Sequence, residues 1–261
     1  MQITDHSIDI ADGSIYARRW QPHGTTRLPI ILLHDSLGSV GLWRDFPAAL
    51  AHTTHRPVIA YDRLGFGHST PLHELPPDSF IDDEASIYLP ALATALGLTR
   101  YILLGHSVGG CMALFAASVA TNPCAALITE SAQAFVGEQT MAGIRAAKQG
   151  FADPQEFARL EKWHGERARW VLDAWTEKWL STEFRNWSIE SRLELINCPL
   201  LAINGAEDEY CPIDYPQRIT RGTNGPTQVA IMAGCGHVPH RQEPDRVLAH
   251  INTFLHEQAI P

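Results

Sequence analysis

Tyr101-Ile102-Leu103-Leu104-Gly105-His106-Ser107-Val108-Gly109-Gly110-Cys111-Met112-Ala113-Leu114-Phe115-Ala116 decides how the rest of the chain is read. An apolar run of strand length meets a small-residue corner, and an apolar stretch compatible with a helix follows. That order is the setting in which G-x-S-x-G carries meaning. A serine at such a corner has backbone angles that hold its hydroxyl clear of the sheet. Glycines two residues to either side remove the Cβ atoms that would collide where strand and helix pass closely. The helix begins just behind the serine, so its free N–H groups point at any negative charge forming there. Ser107 is therefore the candidate nucleophile; a tight turn without chemistry is the plain alternative.

Outward from this stretch the chain repeats one pattern. Pro29 to Leu33, Pro57 to Tyr61, Tyr101 to Leu104, Ala125 to Thr129, Pro199 to Ile203 and Gln228 to Met232 are apolar runs of strand length. Such runs suit a parallel sheet covered on both faces. Helical segments are expected over Val40 to Ala51, Phe80 to Leu96, Gly110 to Ala120, Pro212 to Thr220 and Asp245 to His256. Ahead of them, Ser7 to Ile10 and Ser14 to Trp20 alternate around Ala11-Asp12-Gly13 and read as a hairpin. The fold class is α/β: an open, mostly parallel eight-stranded sheet with helices on both faces.

Composition limits the partners. The 261 residues suffice for one large domain or two smaller ones, and 45% hydrophobic with 19% charged residues describes an ordinary globule. A formal net charge of −9 opposes binding to nucleic acid or to an anionic membrane. No apolar run has the length of a bilayer span, and the start Met1-Gln2-Ile3-Thr4-Asp5-His6 lacks the basic and apolar parts of a signal peptide. Five cysteines (Cys111, Cys124, Cys198, Cys211, Cys235) without framework spacing read as reduced thiols of a cytoplasmic protein. Monomer and homodimer both remain open.

Ser131 to about Ile189 breaks the rhythm, with helical periodicity and no convincing strand. It carries five of the seven tryptophans: Trp163, Trp170, Trp175, Trp179 and Trp187. An insertion after a mid-sheet strand would sit over the strands' C-terminal ends, where open sheets bind ligands. The expected organisation is a core of residues 1–130 and 190–261 with an apolar helical cap of residues 131–189 over a cavity.

A serine nucleophile needs a base and a group to orient that base. His237 follows Gly234-Cys235-Gly236 after the last apolar strand, on a loop able to swing an imidazole over the sheet edge; His240, just past Pro239, competes with it. For the orienting acid, Asp208 lies three residues past Gly205, after the strand ending at Ile203. Glu130, leaving the strand Ala125 to Thr129, is its rival. Cys235, His237 and His240 do not make a convincing zinc spacing, and no metal or cofactor is expected.

Taken together, the motifs resemble the α/β-hydrolase fold superfamily over essentially the whole chain. Besides Gly105-His106-Ser107-Val108-Gly109, these are Leu32-Leu33-His34 with Gly38-Ser39 and Trp43, and Asp62-Arg63-Leu64-Gly65-Phe66-Gly67-His68-Ser69. Gly205-Ala206-Glu207-Asp208 and Gly236-His237 complete the set. The resemblance implies Ser107 as nucleophile, His237 as general base and then acid, and Asp208 as orienting carboxylate. It also implies an oxyanion hole from the backbone N–H groups of Ser36 and Val108, and residues 131–189 as cap. Asp35, Leu37, His106 and Trp163 are expected to contact substrate. Asp35 stands where the family usually has glycine. It is expected to turn away from the oxyanion hole and cap local N–H groups, and His34 is expected to be structural.

The implied chemistry is cleavage of a small to medium, largely apolar carboxylic ester through an acyl-enzyme by a serine carboxylesterase. The same three residues would serve a lactonase or enol-lactonase, a carbon–carbon bond hydrolase or a cofactor-free haloperoxidase. An epoxide hydrolase or dehalogenase would need a carboxylate in place of Ser107. From another class, the chain could be a small-molecule sensor that turns over slowly or not at all.

Overall fold

The alternation of Ser7 to Ile10 and Ser14 to Trp20 becomes the hairpin β1 (Gln2–Ile10) and β2 (Gly13–Gln21) of a computed structural model that describes residues 1–119, 121 and 123–261. The apolar runs form β3 (Ile30–Leu33), β4 (Val58–Tyr61), β5 (Tyr101–His106), β6 (Cys124–Glu130), β7 (Leu200–Gly205) and β8 (Thr227–Met232). Together they make one open eight-stranded sheet in the order β1-β2-β4-β3-β5-β6-β7-β8. The hairpin joins β4 antiparallel, and the pairings from β4 through β8 are parallel.

Period-2 alternation divides each central strand between two cores. Ile31, Leu33, Tyr101 and Leu103 face one, whereas Ile30, Leu32, Ile102 and Leu104 face the other. All eight are essentially solvent-free, which is why the runs from Ile30 to Leu33 and from Tyr101 to Leu104 show no charged positions.

The first helical segment is split. A 3₁₀ turn over Val40–Trp43 ends at Arg44, whose φ of 52° stops the run, and α1 (Phe46–Thr54) starts afresh with Pro47 in its first turn. The next comprises α2 (Phe80–Asp83), a π turn at Glu84–Tyr88 and α3 (Leu89–Ala95). Pro90 lacks the N–H for an ordinary helical bond and its ring crowds the preceding turn; the wider turn absorbs both. The helix α4 (Val108–Ser118) starts directly behind Ser107; the expected end at Ala120 lies outside the described residues.

Between β6 and β7 lie α5 (Glu138–Gly150), α6 (Pro154–His164) and α7 (Ala168–Trp179). An isolated antiparallel bridge between Phe135 and Ser188 ties the two ends of this segment together. Leu160, Ala168 and Leu172 make a small core of their own, against which Leu37 packs from the loop after β3. The chain ends with α8 (Tyr215–Gly222), the short α9 (Pro239–Gln242) and α10 (Pro244–Glu257). Among the described residues, no helix is long and apolar enough to cross a membrane.

Candidate active site

Ser107 sits at the corner between β5 and α4 with φ 55° and ψ −123°, a backbone region that side-chain-bearing residues seldom occupy. The corner closes because of its flanking glycines. A Cβ on Gly105 would run into the Gly109 carbonyl, and one on Gly109 into the carbonyl of Leu33. The Ser107 N–H donates to the Glu130 carbonyl at 2.8 Å, which ties the corner to β6.

Two other loops reach this hydroxyl. His237 Nε2 lies 2.9 Å from Ser107 Oγ, and His237 Nδ1 lies 2.9 and 3.0 Å from the two oxygens of Asp208. With Nδ1–H donating to the carboxylate, Nε2 is left as acceptor for the serine proton. The loop after β7 holds Asp208 firmly: its Oδ1 accepts the N–H groups of Tyr210 (2.8 Å) and Cys211 (2.9 Å). Burial favours the neutral acid, but His237 and these two N–H groups outweigh it and hold Asp208 below the usual carboxylate range.

The rivals from the sequence meet each other instead. Glu130 accepts the His240 N–H at 2.6 Å and faces His240 Nδ1 at 2.8 Å, both side chains buried. Glu130 ends β6, opposite His106 in the register with β5. Its carboxyl is held low by His240 in spite of its burial.

The loop after β3 supplies Ser36 and its neighbours. His34 bridges Asp35 O and the Arg63 N–H (2.8 and 3.2 Å), and the Arg63 guanidinium donates to Asp35 O at 2.7 Å. Burial and Arg63 push the His34 pKa well below its ordinary value, so this ring is neutral. The N–H of Ser36 and that of Val108, the first residue of α4, have no protein acceptor among the described residues. Asp62 braces this loop from behind, accepting the N–H groups of Val40 (2.6 Å) and His68 (2.7 Å).

Asp35 departs from the expected capping role. It caps no local N–H among the described residues; its Oδ2 lies 3.4 Å from His106 Nδ1, and its Oδ1 has no hydrogen-bond partner. His106 in turn donates from Nε2 to the His237 carbonyl at 2.8 Å. The attraction of a buried imidazole wins over the local turn.

A three-residue grouping of Asp208, Cys211 and His237 has ligand atoms within 4.8 Å of one another. Its lone pairs are committed. Nδ1 of His237 bonds Asp208, and the Cys211 thiol, its pKa pushed up by burial, donates to the Ser131 carbonyl at 3.0 Å. This is a hydrogen-bonded cluster rather than a ligand set.

The α/β hydrolase fold family matches residues 29–244 of this sequence. The chain belongs to that family. A proline iminopeptidase of Heyndrickxia coagulans is 28% identical, with 97% of this chain and 98% of the relative covered. Among solved structures, the proline iminopeptidase of Mycobacterium smegmatis superposes with a TM-score of 0.74 at 24% identity, covering 98% of each chain. A bacterial membrane phospholipase A superposes with a TM-score of 0.81 at 20% identity, covering 99% of this chain and 87% of the other. The protein is thus a hydrolase of the α/β fold.

Two cavities adjoin in this hydrolase. One, of about 200 Å³, holds Ser107 and His237 and is walled by Ile144, Trp175 and Trp179 of the inserted helices, with Leu37 and Tyr210. The other, of about 450 Å³, is lined by His106, Trp163 and residues of α6 and α9. Asp35, Leu37 and Val238 line both. Thus Asp35 and Leu37 stand at the junction, while His106 and Trp163 belong to the larger cavity. Trp170 instead packs on Phe66 and donates to the Glu74 carbonyl at 3.0 Å.

Gln133 is a site residue that the sequence did not reveal. Its Nε2 donates to Ser107 Oγ at 3.4 Å and to Cys211 Sγ at 3.3 Å, and Cys111 Sγ donates to its Oε1 at 3.3 Å. Only its position shortly after β6, beside the nucleophile strand, could have pointed to it.

Proposed function

We propose that this protein is a serine esterase that cleaves a small to medium, largely apolar carboxylic ester through an acyl-enzyme. One observation carries the reading: a single imidazole bridges the Ser107 hydroxyl and the Asp208 carboxylate, with hydrogen-bond distances on both sides. In the first step Ser107 Oγ attacks the carbonyl carbon while His237 Nε2 takes its proton. The N–H groups of Ser36 and Val108 receive the negative charge that develops on the carbonyl oxygen. The imidazolium returns the proton to the leaving alcohol as the carbon–oxygen bond breaks. Water then attacks the acyl-enzyme, gives its proton to His237, and the acid leaves as Ser107 is restored.

The helices of residues 131–189 act as a cap in this scheme. Trp175, Trp179 and Ile144 give the reacting carbonyl an apolar enclosure, which strengthens every electrostatic contact within it. A second reading, hydrolysis of an amide at the amino end of a short peptide, is supported by the full-length likeness to a proline iminopeptidase. The same three residues would serve it.

A panel of para-nitrophenyl esters and aminoacyl para-nitroanilides, with fluorophosphonate labelling located by mass spectrometry, tests both. Ester turnover with label on Ser107, both lost in Ser107→Ala, is the expected outcome. Turnover undiminished in Ser107→Ala would remove the mechanism, and turnover of anilides alone would replace the esterase by the peptidase.

A further inference from the structure

The larger cavity has a charge opposite to that of the chain. With 29 acidic against 20 basic residues, the protein as a whole is anionic. Yet Arg44, Arg159, Lys162 and Arg241 all line this one cavity, against only Asp35 and Glu156. Glu156 is taken by Arg159 at 2.7 Å, and Asp35 is drawn to His106. Arg44, Lys162 and Arg241 have no carboxylate partner among the described residues.

Arg44 is held there against its backbone preference. Its φ of 52° and ψ of −125° nearly reproduce those of Ser107, in a region where glycine is the usual occupant. A non-glycine residue in such a conformation persists where the surroundings enforce it, and these residues gather at functional sites. Its guanidinium stands 5.8 Å from the Trp163 ring, which Lys162 approaches to 6.0 Å from α6. Arg241 comes from α9, four residues past His237. Partial desolvation at the cavity wall and then the nearness of Arg44 lower its pKa, against a weaker opposite pull from Asp35, so the two guanidinium groups feel each other's charge. Like charges around one cavity, with neither Arg44 nor Arg241 within ion-pair distance of a carboxylate among the described residues, are the arrangement an anionic ligand would complete.

We propose that the substrate carries an anionic group, a carboxylate or phosphate, which Arg44 and Arg241 hold in the larger cavity while its ester carbonyl lies at Ser107. This rests on the esterase reading and narrows its substrate class. The anion stands remote from the scissile bond, because the Asp35 carboxylate at the junction repels a charge placed beside the carbonyl. The walls between, Leu37, Leu42, Trp43, Phe151, Leu160 and Trp163, accept an apolar spacer.

Matched esters test this. On the acyl side they are para-nitrophenyl pentanoate, the mono-para-nitrophenyl ester of glutaric acid and para-nitrophenyl phosphonobutanoate; on the alcohol side, phenyl acetate and its para-carboxymethyl derivative. At low salt, kcat/KM is expected to favour at least one charged ester over its neutral partner by about tenfold, the two acid groups distinguishing carboxylate from phosphate. Added salt should shrink the preference. Arg44→Gln and Arg241→Gln should each cut the charged-to-neutral ratio several-fold, and Arg241→Lys should restore part of it. No preference for any charged ester, or a preference that neither substitution moves, overturns the inference and leaves the esterase standing. If no ester turns over and Ser107 takes no label, the esterase reading fails instead. Calorimetric titration of glutarate and phenylphosphonate into the wild-type protein then decides: binding weakened in Arg44→Gln and Arg241→Gln upholds the anion site, and no binding removes it.

Discussion

His106 should carry its proton well above neutral pH, and the fold should lose stability when that proton leaves. Both ring nitrogens face acceptors: Nε2 the His237 carbonyl at 2.8 Å, and Nδ1 the Asp35 carboxylate at 3.4 Å. Neither oxygen has a hydrogen to give at neutral pH, so only the imidazolium satisfies both sides. Burial opposes that charge, but Asp35 and then Glu130 outweigh it, raising the His106 pKa from 6.5 to about 9. A rise of that size corresponds to roughly 3 kcal/mol of folding free energy. Because the folded value is the higher one, this contribution is fully present below pH 6.5 and lost as pH rises through 9. Counted from Asp35, the same contact holds that carboxyl below its usual range and acts at the acid end of the stability curve.

Asp35→Asn removes the nearest anion and keeps the shape. The His106 pKa should then fall back toward its unfolded value, with about 2 kcal/mol of stability lost at pH 6 to 7. Urea denaturation followed by circular dichroism between pH 6 and pH 10 reads this directly. The wild-type curve should drop by about 3 kcal/mol across the range, and the Asp35→Asn curve by about 1 kcal/mol or less. Groups that titrate elsewhere contribute equally to both curves and cancel in the comparison. Parallel curves would refute the charged ring and, with it, the electrostatic link between the Ser36 loop and the His237 loop.

The sheet was legible because its central strands are apolar on both faces, so Ile30 to Leu33 and Tyr101 to Leu104 carry a signal that needs no tertiary knowledge. Ser107 was legible because strand, glycine corner and helix are contiguous in the chain. The acid and base loops were legible too, and Asp208 was preferred to Glu130 from its place past Gly205 and from the resemblance, but what Glu130 does instead was not legible. Both leave neighbouring parallel strands, and only the structure shows Glu130 turned toward His240 and Asp208 toward His237. A backbone angle and the directions of two side chains account for the other differences. Periodicity is blind to the φ of Arg44, which splits the segment expected as one helix from Val40 to Ala51. Local turn chemistry suggested that Asp35 would cap its neighbours, whereas the ring drawing it away lies 71 positions along the chain. Gln133 follows no motif; it matters because Cys111 and Cys211, distant in sequence, fix its amide beside Ser107.

Three further outcomes are expected. Asp208→Asn should lower kcat/KM by roughly 10³- to 10⁴-fold in steady-state ester assays, because an amide favours the wrong His237 tautomer while the circular dichroism spectrum stays unchanged. Glu130→Gln should cost about 1–3 kcal/mol in urea denaturation yet change kcat/KM by less than tenfold, because the pair it breaks with His240 does not touch Ser107. Ser107→Gly should be more stable than Ser107→Ala, although both lack the hydroxyl. Alanine keeps the strained φ of 55°, at about 1–3 kcal/mol, whereas glycine relieves it and gives back about 0.5–1 kcal/mol through the freedom of its unfolded chain. The difference of about 1 kcal/mol should appear as a Tm about 2–4 °C higher for Ser107→Gly in scanning calorimetry. An equal or lower Tm would mean that the corner stores no strain, and that the backbone of the candidate nucleophile is held without opposing its own preference.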